Sequence, residues 1–128
     1  MSIPHPSDAE LEILQILWDI QPATVREVHE VLATRKEVGY TTTLKQMQRM
    51  YEKKGLLTRN TTGKHHTFSS TLPESRVRGT VLSRLAASAF KGSAMSLAMH
   101  ALGQSEPSRE DLDALEQWLE AKRNQSTS

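Results

Sequence analysis

Hydrophobic residues near the start of the chain recur at helical spacing. Ser7 and Glu10 have the spacing of a capping box, in which each side chain binds the other residue's backbone amide at a helix start. The apolar stripe that follows has helical spacing at four positions: Leu11, Leu14, Leu17 and Trp18. Three isoleucines widen it: Ile13, Ile16 and Ile20. Pro22 disfavours helical geometry at Gln21, so the pattern predicts a first helix that ends near Ile20.

The next apolar stripes predict two further helices. Thr24 and Glu27 form a second capping box, and a short apolar face follows it: Val25, Val28, Val31 and Leu32. A third helix is predicted over residues 41–54, with one apolar face made of Leu44, Met47 and Tyr51. Any of the three threonines at 41–43 could cap it, and Gly55 would end it after Lys54.

The segment after the third helix has the pattern of a β-hairpin. Leu56–Arg59 and His65–Ser69 are short and partly alternating, and the turn-forming residues 60–64 separate them. The order helix, helix, helix, hairpin predicts a mainly α fold with an N-terminal winged helix-turn-helix domain, which we place at residues 1–72.

Residues 73–123 are predicted to be helical and to form a dimerisation region. Gly92 and Ser93 separate two helical stripes, and Pro107 with Ser108 begins a last helix. A small winged domain could not cover all the apolar residues of this region, so we expect a second copy of the chain to bury them: Val81, Leu82, Leu85, Leu97, Leu102, Leu112, Leu115, Trp118 and Leu119. The serine-rich residues 124–128 are predicted to be a disordered tail.

The composition excludes several classes of protein. The 128 residues suffice for one compact domain, or for one small domain with an oligomerising segment. Cysteine is absent, which excludes disulfides, zinc ribbons, iron–sulfur clusters and thiol catalysis. No apolar run approaches the roughly 18 residues of a membrane span. Residues 1–5 carry neither a basic leader nor an apolar run, so we expect a cytoplasmic protein without membrane insertion.

Charge is unevenly distributed along the chain. The formal net charge is only +1, but residues 1–34 carry six acids and one base. Residues 35–66 carry eight bases and two acids, a balance of +6 that coincides with the third helix and the hairpin. A basic block between acidic flanks suggests a polyanion partner, although many such blocks are only solvated surface.

The third helix has the side chains that a DNA-recognition helix needs. In helix-turn-helix proteins the second helix of the motif lies in the major groove, where Gln binds adenine and Lys or Arg binds guanine. Lys45 and Arg49 lie four residues apart on the polar side of this helix, beside Gln46 and Gln48. With the hairpin, the predicted contacts to double-stranded DNA are Thr41, Thr42, Thr43, Lys45, Gln46, Arg49, Arg59, Lys64 and His65. Two alternatives stay open: a plain surface helix, and a helical adaptor that uses the winged domain to bind protein.

Catalytic and metal sites are not expected. Adjacent residues on a strand point to opposite faces, so His65 and His66 could not easily chelate one ion. The sequence contains no nucleophile elbow, phosphate loop or paired-carboxylate arrangement. We therefore predict a protein that is not an enzyme, with no cofactor, no metal ligands and no catalytic residues.

Several segments, in order, resemble one known family. Residues 10–18, 23–28 and 40–47 look like the penicillinase-repressor family, which includes the methicillin-resistance repressors and a copper-responsive branch. Residues 54–57 and 90–93 continue the match, so the similarity covers about residues 8–122. The resemblance implies a dimeric bacterial transcriptional repressor with a winged-helix DNA-binding domain, a helical dimerisation region and a palindromic operator.

The resemblance also implies which residues bind DNA. Its recognition-helix positions correspond to Thr42, Thr43, Lys45, Gln46 and Arg49, and its wing positions to Gly63, Lys64 and His65. Gln46 and Gln48 stand where the family often has Thr and Leu, so the operator sequence does not transfer. The copper-responsive members use C-terminal cysteines, which this chain lacks, and copper sensing by that route is not expected.

Regulation by proteolysis is the last implication of the resemblance. In the penicillinase branch, a signal from a membrane-bound sensor metalloprotease leads to cleavage within the C-terminal helices. The equivalent bond lies near His100–Ala101, which does not match the usual Asn-Phe pair. A sensor metalloprotease or its downstream protease is therefore a possible partner, but the cut site does not transfer.

Overall fold

The structure, a computed structural model that describes residues 5–126, is mainly helical and carries a small antiparallel sheet. The elements, in chain order, are α1 (Asp8–Ile20), α2 (Val25–Ala33), α3 (Tyr40–Glu52), β1 (Leu57–Asn60), β2 (Thr67–Ser70), α4 (Glu74–Ala89), α5 (Ala94–Gln104) and α6 (Arg109–Ser126). The order confirms the predicted arrangement of three helices followed by a hairpin. The chain divides into two compact units between Leu82 and Ser83.

The first two helices begin at capping boxes, as predicted. Ser7 N donates to Glu10 Oε1 at 2.8 Å and Glu10 N donates to Ser7 Oγ at 3.2 Å. At α2, Thr24 N donates to Glu27 Oε1 at 2.9 Å and Glu27 N donates to Thr24 Oγ1 at 3.1 Å. These local bonds satisfy amides that have no partner within the helix, which is why short sequence patterns located both helix starts.

The core of the first unit lies between the three helices and the hairpin. Its buried residues come from every element of the unit's winged domain: Ile13, Leu14, Ile16, Leu17, Ala23, Val25, Val28, Leu32, Met47, Met50, Leu56, Leu57 and Phe68. At roughly 1.5–3 kcal/mol for each large apolar side chain, their burial is the main force that holds α3 against α1 and α2.

Helix α3 starts differently from the prediction. Gly39 is its N-cap, with no side-chain cap bond, and the helix begins at Tyr40. The prediction that one of the threonines at 41–43 caps it is therefore wrong. The ring of Tyr40, the first residue of the helix, meets the His29 ring edge-on, with centroids 5.6 Å apart.

The C-terminal end of α3 turns sharply into the hairpin. The helix ends at Glu52, and Gly55 adopts the left-handed conformation with φ +66°. The turn lets Leu56 N donate to Met50 O at 3.0 Å. A side chain at residue 55 would be strained in this conformation, which is why glycine marks the end of the helix.

The hairpin forms the wing of the fold. β1 pairs with β2 in antiparallel register, with Leu57 opposite Ser70 and Asn60 opposite Thr67. Ala23 pairs with the other edge of β2 through a single-residue bridge, in which it exchanges two backbone hydrogen bonds of 3.0 and 2.8 Å with Phe68. This bridge fixes the start of α2 beside the wing.

The first half of α4 lies beside α1 within the first unit, where Leu11 and Trp18 of α1 line one depression together with Val81 and Leu82 of α4. Trp18 Nε1 donates to Leu72 O at 3.3 Å, and Val77 is 1% exposed. Because these contacts hold the start of α4 to the winged domain, the division of the chain falls after Leu82, later than the predicted boundary at residue 72.

The second unit contains the rest of α4 with α5 and α6. Gly92, with φ +82°, separates the first two of these helices as predicted. Helix α6 continues to Ser126, so residues 124–126, predicted as part of a disordered tail, are helical instead. Residues 127 and 128 of that predicted tail, and residues 1–4, lie outside the described residues. Within residues 5–126, no helix is long and apolar enough to cross a membrane.

Candidate nucleic-acid interface

The polar side of α3 carries most of the predicted contact residues on one exposed face. Thr41, Thr42, Lys45 and Arg49 are exposed, and Gln46 is half-buried at the edge of the face. A shallow depression on this face is lined by three cations, one amide and one carboxylate: Lys45, Arg49, Lys53, Gln48 and Glu52. The face is therefore cationic and rich in hydrogen-bond donors, as a helix that reads base edges requires.

Thr43 is not part of this face. Its side chain is 1% exposed, and Thr43 Oγ1 shares a hydrogen bond of 3.0 Å with His29 Nδ1 on α2. The prediction that Thr43 contacts DNA is wrong, because the core of α3 is centred on Thr43, Met47 and Met50. Its hydroxyl is instead satisfied inside the protein.

A groove of about 540 Å³ lies between α3, the start of α2 and the wing. Its lining combines cations, histidines and uncharged side chains: Thr24, Val25, Arg26, Tyr40, Leu44, Gln48, Arg59, Lys64, His65, His66 and Phe68. Among the described residues that line it, none is a carboxylate. Gln48 belongs both to this groove and to the depression on α3, so the two surfaces are continuous.

The wing contributes its three predicted residues to the groove. The Arg59 guanidinium carbon lies 4.6 Å from the centre of the Tyr51 ring, and that ring in turn meets Phe68 edge-on at 6.2 Å. Lys64 and His65 lie in the loop between the strands and are exposed. Stacking on a ring restrains the Arg59 side chain and leaves its N–H groups available for an anion.

His65 and His66 both precede β2, so the predicted strand start at His65 is wrong. The loop is held by Asn60, whose Oδ1 accepts from Thr62 N at 2.9 Å and Thr62 Oγ1 at 2.7 Å. The loop brings both histidines to the groove. Residues 5–126 contain no group of three or more His, Asp or Glu side chains placed to hold a metal ion.

Not every base of the basic segment contributes to these surfaces. Lys36 Nζ lies 2.8 Å from Glu12 Oε1, so this cation ties the α2–α3 loop to α1. Arg26, in contrast, lines the groove although it belongs to the acidic N-terminal segment. Arg26, Tyr40 and His66 were not among the predicted contacts, because only the fold brings the starts of α2 and α3 beside the wing loop. Gln48 lies three residues after Lys45, on the same face of α3, and this spacing could have predicted it as a further contact residue.

A family comparison agrees with the resemblance of the sequence. The family model described as "Penicillinase repressor" matches residues 6–121. The chain belongs to the penicillinase repressor family. Members of this family are transcriptional repressors, which are not enzymes, so the comparison confirms the expected family and the expected lack of enzymatic activity.

Individual members of the penicillinase repressor family match shorter parts of the chain. The "Transcriptional regulator BlaI" of Mycobacterium tuberculosis, in strains CDC 1551 / Oshkosh and ATCC 25618 / H37Rv, is 40% identical over 47 residues, 36% of this chain. The match spans about a third of these relatives, 34% of their length.

A solved structure confirms the winged-helix fold. The "Solution structure of the DNA binding domain of the repressor BlaI" superposes with a TM-score of 0.50 and 28% identity. The superposition covers 58% of this chain and 89% of the BlaI domain.

The predicted dimerisation residues lie on the surface of the described chain. Exposed fractions reach 56% at Leu82 and 55% at Trp118, and three further leucines, Leu85, Leu102 and Leu112, are between 40% and 47% exposed. Leu119 is 37% exposed, and Val81, Leu97 and Leu115 are half-buried. An apolar surface of this kind is available to a partner.

Proposed function

We propose that this protein is a sequence-specific, DNA-binding transcriptional repressor that acts as a homodimer. The observation that carries the proposal is the continuous cationic surface formed by the exposed face of α3 and the groove beside the wing. A phosphate backbone requires such a surface, and α3 has the dimensions that fit the major groove.

The residues on this surface fall into two roles. Lys45 and Arg49 contact guanine, and Gln46 and Gln48 contact adenine, so α3 discriminates between sequences by about 1–3 kcal/mol for each bidentate contact. Thr41, Thr42, Arg59, Lys64 and His65 contact phosphates, which positions the domain without reading sequence.

The homodimer explains the exposed apolar faces of the second unit. Two copies related by a two-fold axis would bury these faces against each other and present two α3 helices to the half-sites of a palindrome. Dimerisation raises operator affinity because the second domain then binds intramolecularly. Any process that separates the copies releases the operator.

Regulation by a protease is part of the proposal, and its support is the family resemblance. The partner is a membrane-bound sensor metalloprotease or its downstream protease, and the repressor acts in the cytoplasm, where the chromosome lies. His100 and Ala101 are exposed, but they lie inside α5, so a protease must locally unwind this helix to cut there. Limited proteolysis with sequencing of the fragments tests whether that bond is cut.

Binding to duplex DNA tests the proposed function directly. Selection from a random-sequence library should recover a palindromic duplex, and titration by fluorescence anisotropy should show tighter binding to it than to a random duplex. Replacing both Lys45 and Arg49 with Ala should lower that preference by about 2 kcal/mol or more for each half-site. An Arg84→Ala, Arg109→Ala double variant removes the same charge from exposed sites outside the surface and should keep the preference. A protein without affinity for duplex DNA at low salt would contradict the proposal and favour a protein-binding adaptor.

A further inference from the structure

Arg26 is held at the groove by the aromatic ring of Tyr40. Its guanidinium carbon lies 5.3 Å from the centre of this ring, and both residues line the groove together with Lys64. We propose that Arg26, stacked on Tyr40, contacts the DNA phosphate backbone, and that His29 positions the pair. This inference rests on the proposed function and adds α2 to the surface that binds DNA.

The location of Arg26 opposes the stability of its own helix. It is the second residue of α2, where the positive end of the helix dipole disfavours a cation. Glu30 lies four residues further along, at the spacing of a helical ion pair. The ion pairs within residues 5–126 are Lys36–Glu12 and Arg78–Glu74, so Arg26 takes no part in one. Helix stability therefore does not explain this cation.

Stacking on Tyr40 leaves the guanidinium ready to bind an anion. A ring face attracts the cation without using its five N–H groups, and the planar guanidinium can then bind a phosphate through two hydrogen bonds. Arg59 on Tyr51 repeats the arrangement from β1. The groove thus has two arginines, each restrained by a tyrosine.

His29 connects this pair to the core of the domain. Its ring meets the Tyr40 ring at an interplanar angle of 90°, and its Nδ1 is 3.0 Å from the hydroxyl oxygen of buried Thr43. His29 does not line the groove. It therefore acts through Tyr40, as a positioning residue that fixes the ring on which Arg26 lies.

The salt dependence of binding tests the role of Arg26. The full chain is titrated against two fluorescein-labelled duplexes of equal length, one recovered by selection and one of random sequence, at several salt concentrations. Arg26→Ala should reduce the slope of log affinity against log salt by about 0.9 for each bound protomer. At 0.1 M salt this corresponds to roughly an eightfold loss per protomer, equal on both duplexes. Arg84→Ala, a control at an exposed site outside the groove, should leave the slope unchanged.

The role of the ring is tested by variants of Tyr40 in a double-mutant cycle. Tyr40→Leu should weaken binding in the wild-type background but have little effect when Arg26 is already Ala, because the two residues act together. Tyr40→Phe keeps the ring and should bind as the wild type does. His29→Leu should reproduce the effect of Tyr40→Leu, again only when Arg26 is present.

Different outcomes overturn different claims. An unchanged salt slope for Arg26→Ala, with wild-type protein that does bind duplex DNA, would overturn the backbone contact alone. Equal losses for Tyr40→Phe and Tyr40→Leu would overturn positioning by the ring, since the hydroxyl would then be the group that matters. Absence of duplex binding by the wild type would instead contradict the proposed function.

Discussion

His29 Nδ1 and Thr43 Oγ1 lie 3.0 Å apart, and this hydrogen bond joins α2 to α3. Thr43 is buried while its neighbour Thr42 is exposed, so adjacent threonines of one helix have opposite roles. The bond explains how a hydroxyl can occupy the centre of the α3 core without a desolvation penalty. It also adds a directional contact to the apolar packing that holds α3 against its neighbours.

The two threonines should respond differently to the same substitution. Thr43→Val removes the hydroxyl and leaves His29 Nδ1 without its partner, so we expect the free energy of unfolding to fall by about 1–2 kcal/mol. Thr42→Val should change stability by less than about 0.5 kcal/mol, because the side chain is exposed. Urea denaturation measures both variants. Equal stability losses would contradict the different roles of the two hydroxyls.

Local signals predicted more of the fold than of the site. The capping boxes at Ser7 and Thr24 located two helix starts because their bonds span only three residues. Gly39, and not one of the threonines, caps α3, and the ring of Tyr40 that follows it packs against His29, a contact that no local pattern encodes.

Periodicity identified the apolar side of α3 but misjudged its centre. Leu44, Met47 and Tyr51 suggested one centre, whereas Thr43, Met47 and Met50 are the buried residues, so the true centre is rotated toward a polar side chain. A search for apolar residues cannot find a buried threonine whose partner lies 14 residues away. Counting charge by segment also missed Arg26, because this residue belongs to the acidic N-terminal segment in sequence but lies beside the basic wing in the fold.

The wing should contribute affinity without contributing specificity. Lys64→Ala should weaken binding by the same factor on selected and random duplexes and reduce the salt slope by about 0.9 for each bound protomer. Arg49→Ala should instead lower the ratio of the two affinities, because Arg49 lies on the face that reads bases. Anisotropy titrations at several salt concentrations separate the two effects. An unchanged slope for Lys64→Ala would remove the wing from the interface.

The apolar face of α6 should control the oligomeric state. Leu112→Asp places a carboxylate on the face that contains Leu115 and Leu119, and burial of that charge between two copies is strongly unfavourable. We expect the dissociation constant of the dimer, measured by sedimentation equilibrium, to rise at least about tenfold. Gln117→Asp adds the same charge to an exposed position on the opposite side of the helix and should leave the dimer intact. A dimer unaffected by Leu112→Asp would locate the interface elsewhere.

Two glycines of the first unit should respond to alanine with opposite signs. Gly55 has φ +66°, and no atom lies within 4 Å of the position that a methyl group would take there. Gly55→Ala should therefore lower the free energy of unfolding by about 1–2 kcal/mol through backbone strain alone. Gly79 lies inside α4 with equally open space around it, and Gly79→Ala should raise that free energy by about 0.5–1 kcal/mol, because alanine loses less backbone entropy in a helix. Thermal and urea unfolding of the full chain compare the two. Neither methyl group meets a neighbour, so packing does not contribute and backbone conformation alone should set the two signs. A shared sign would contradict this, and the turn between α3 and the wing would then not depend on glycine.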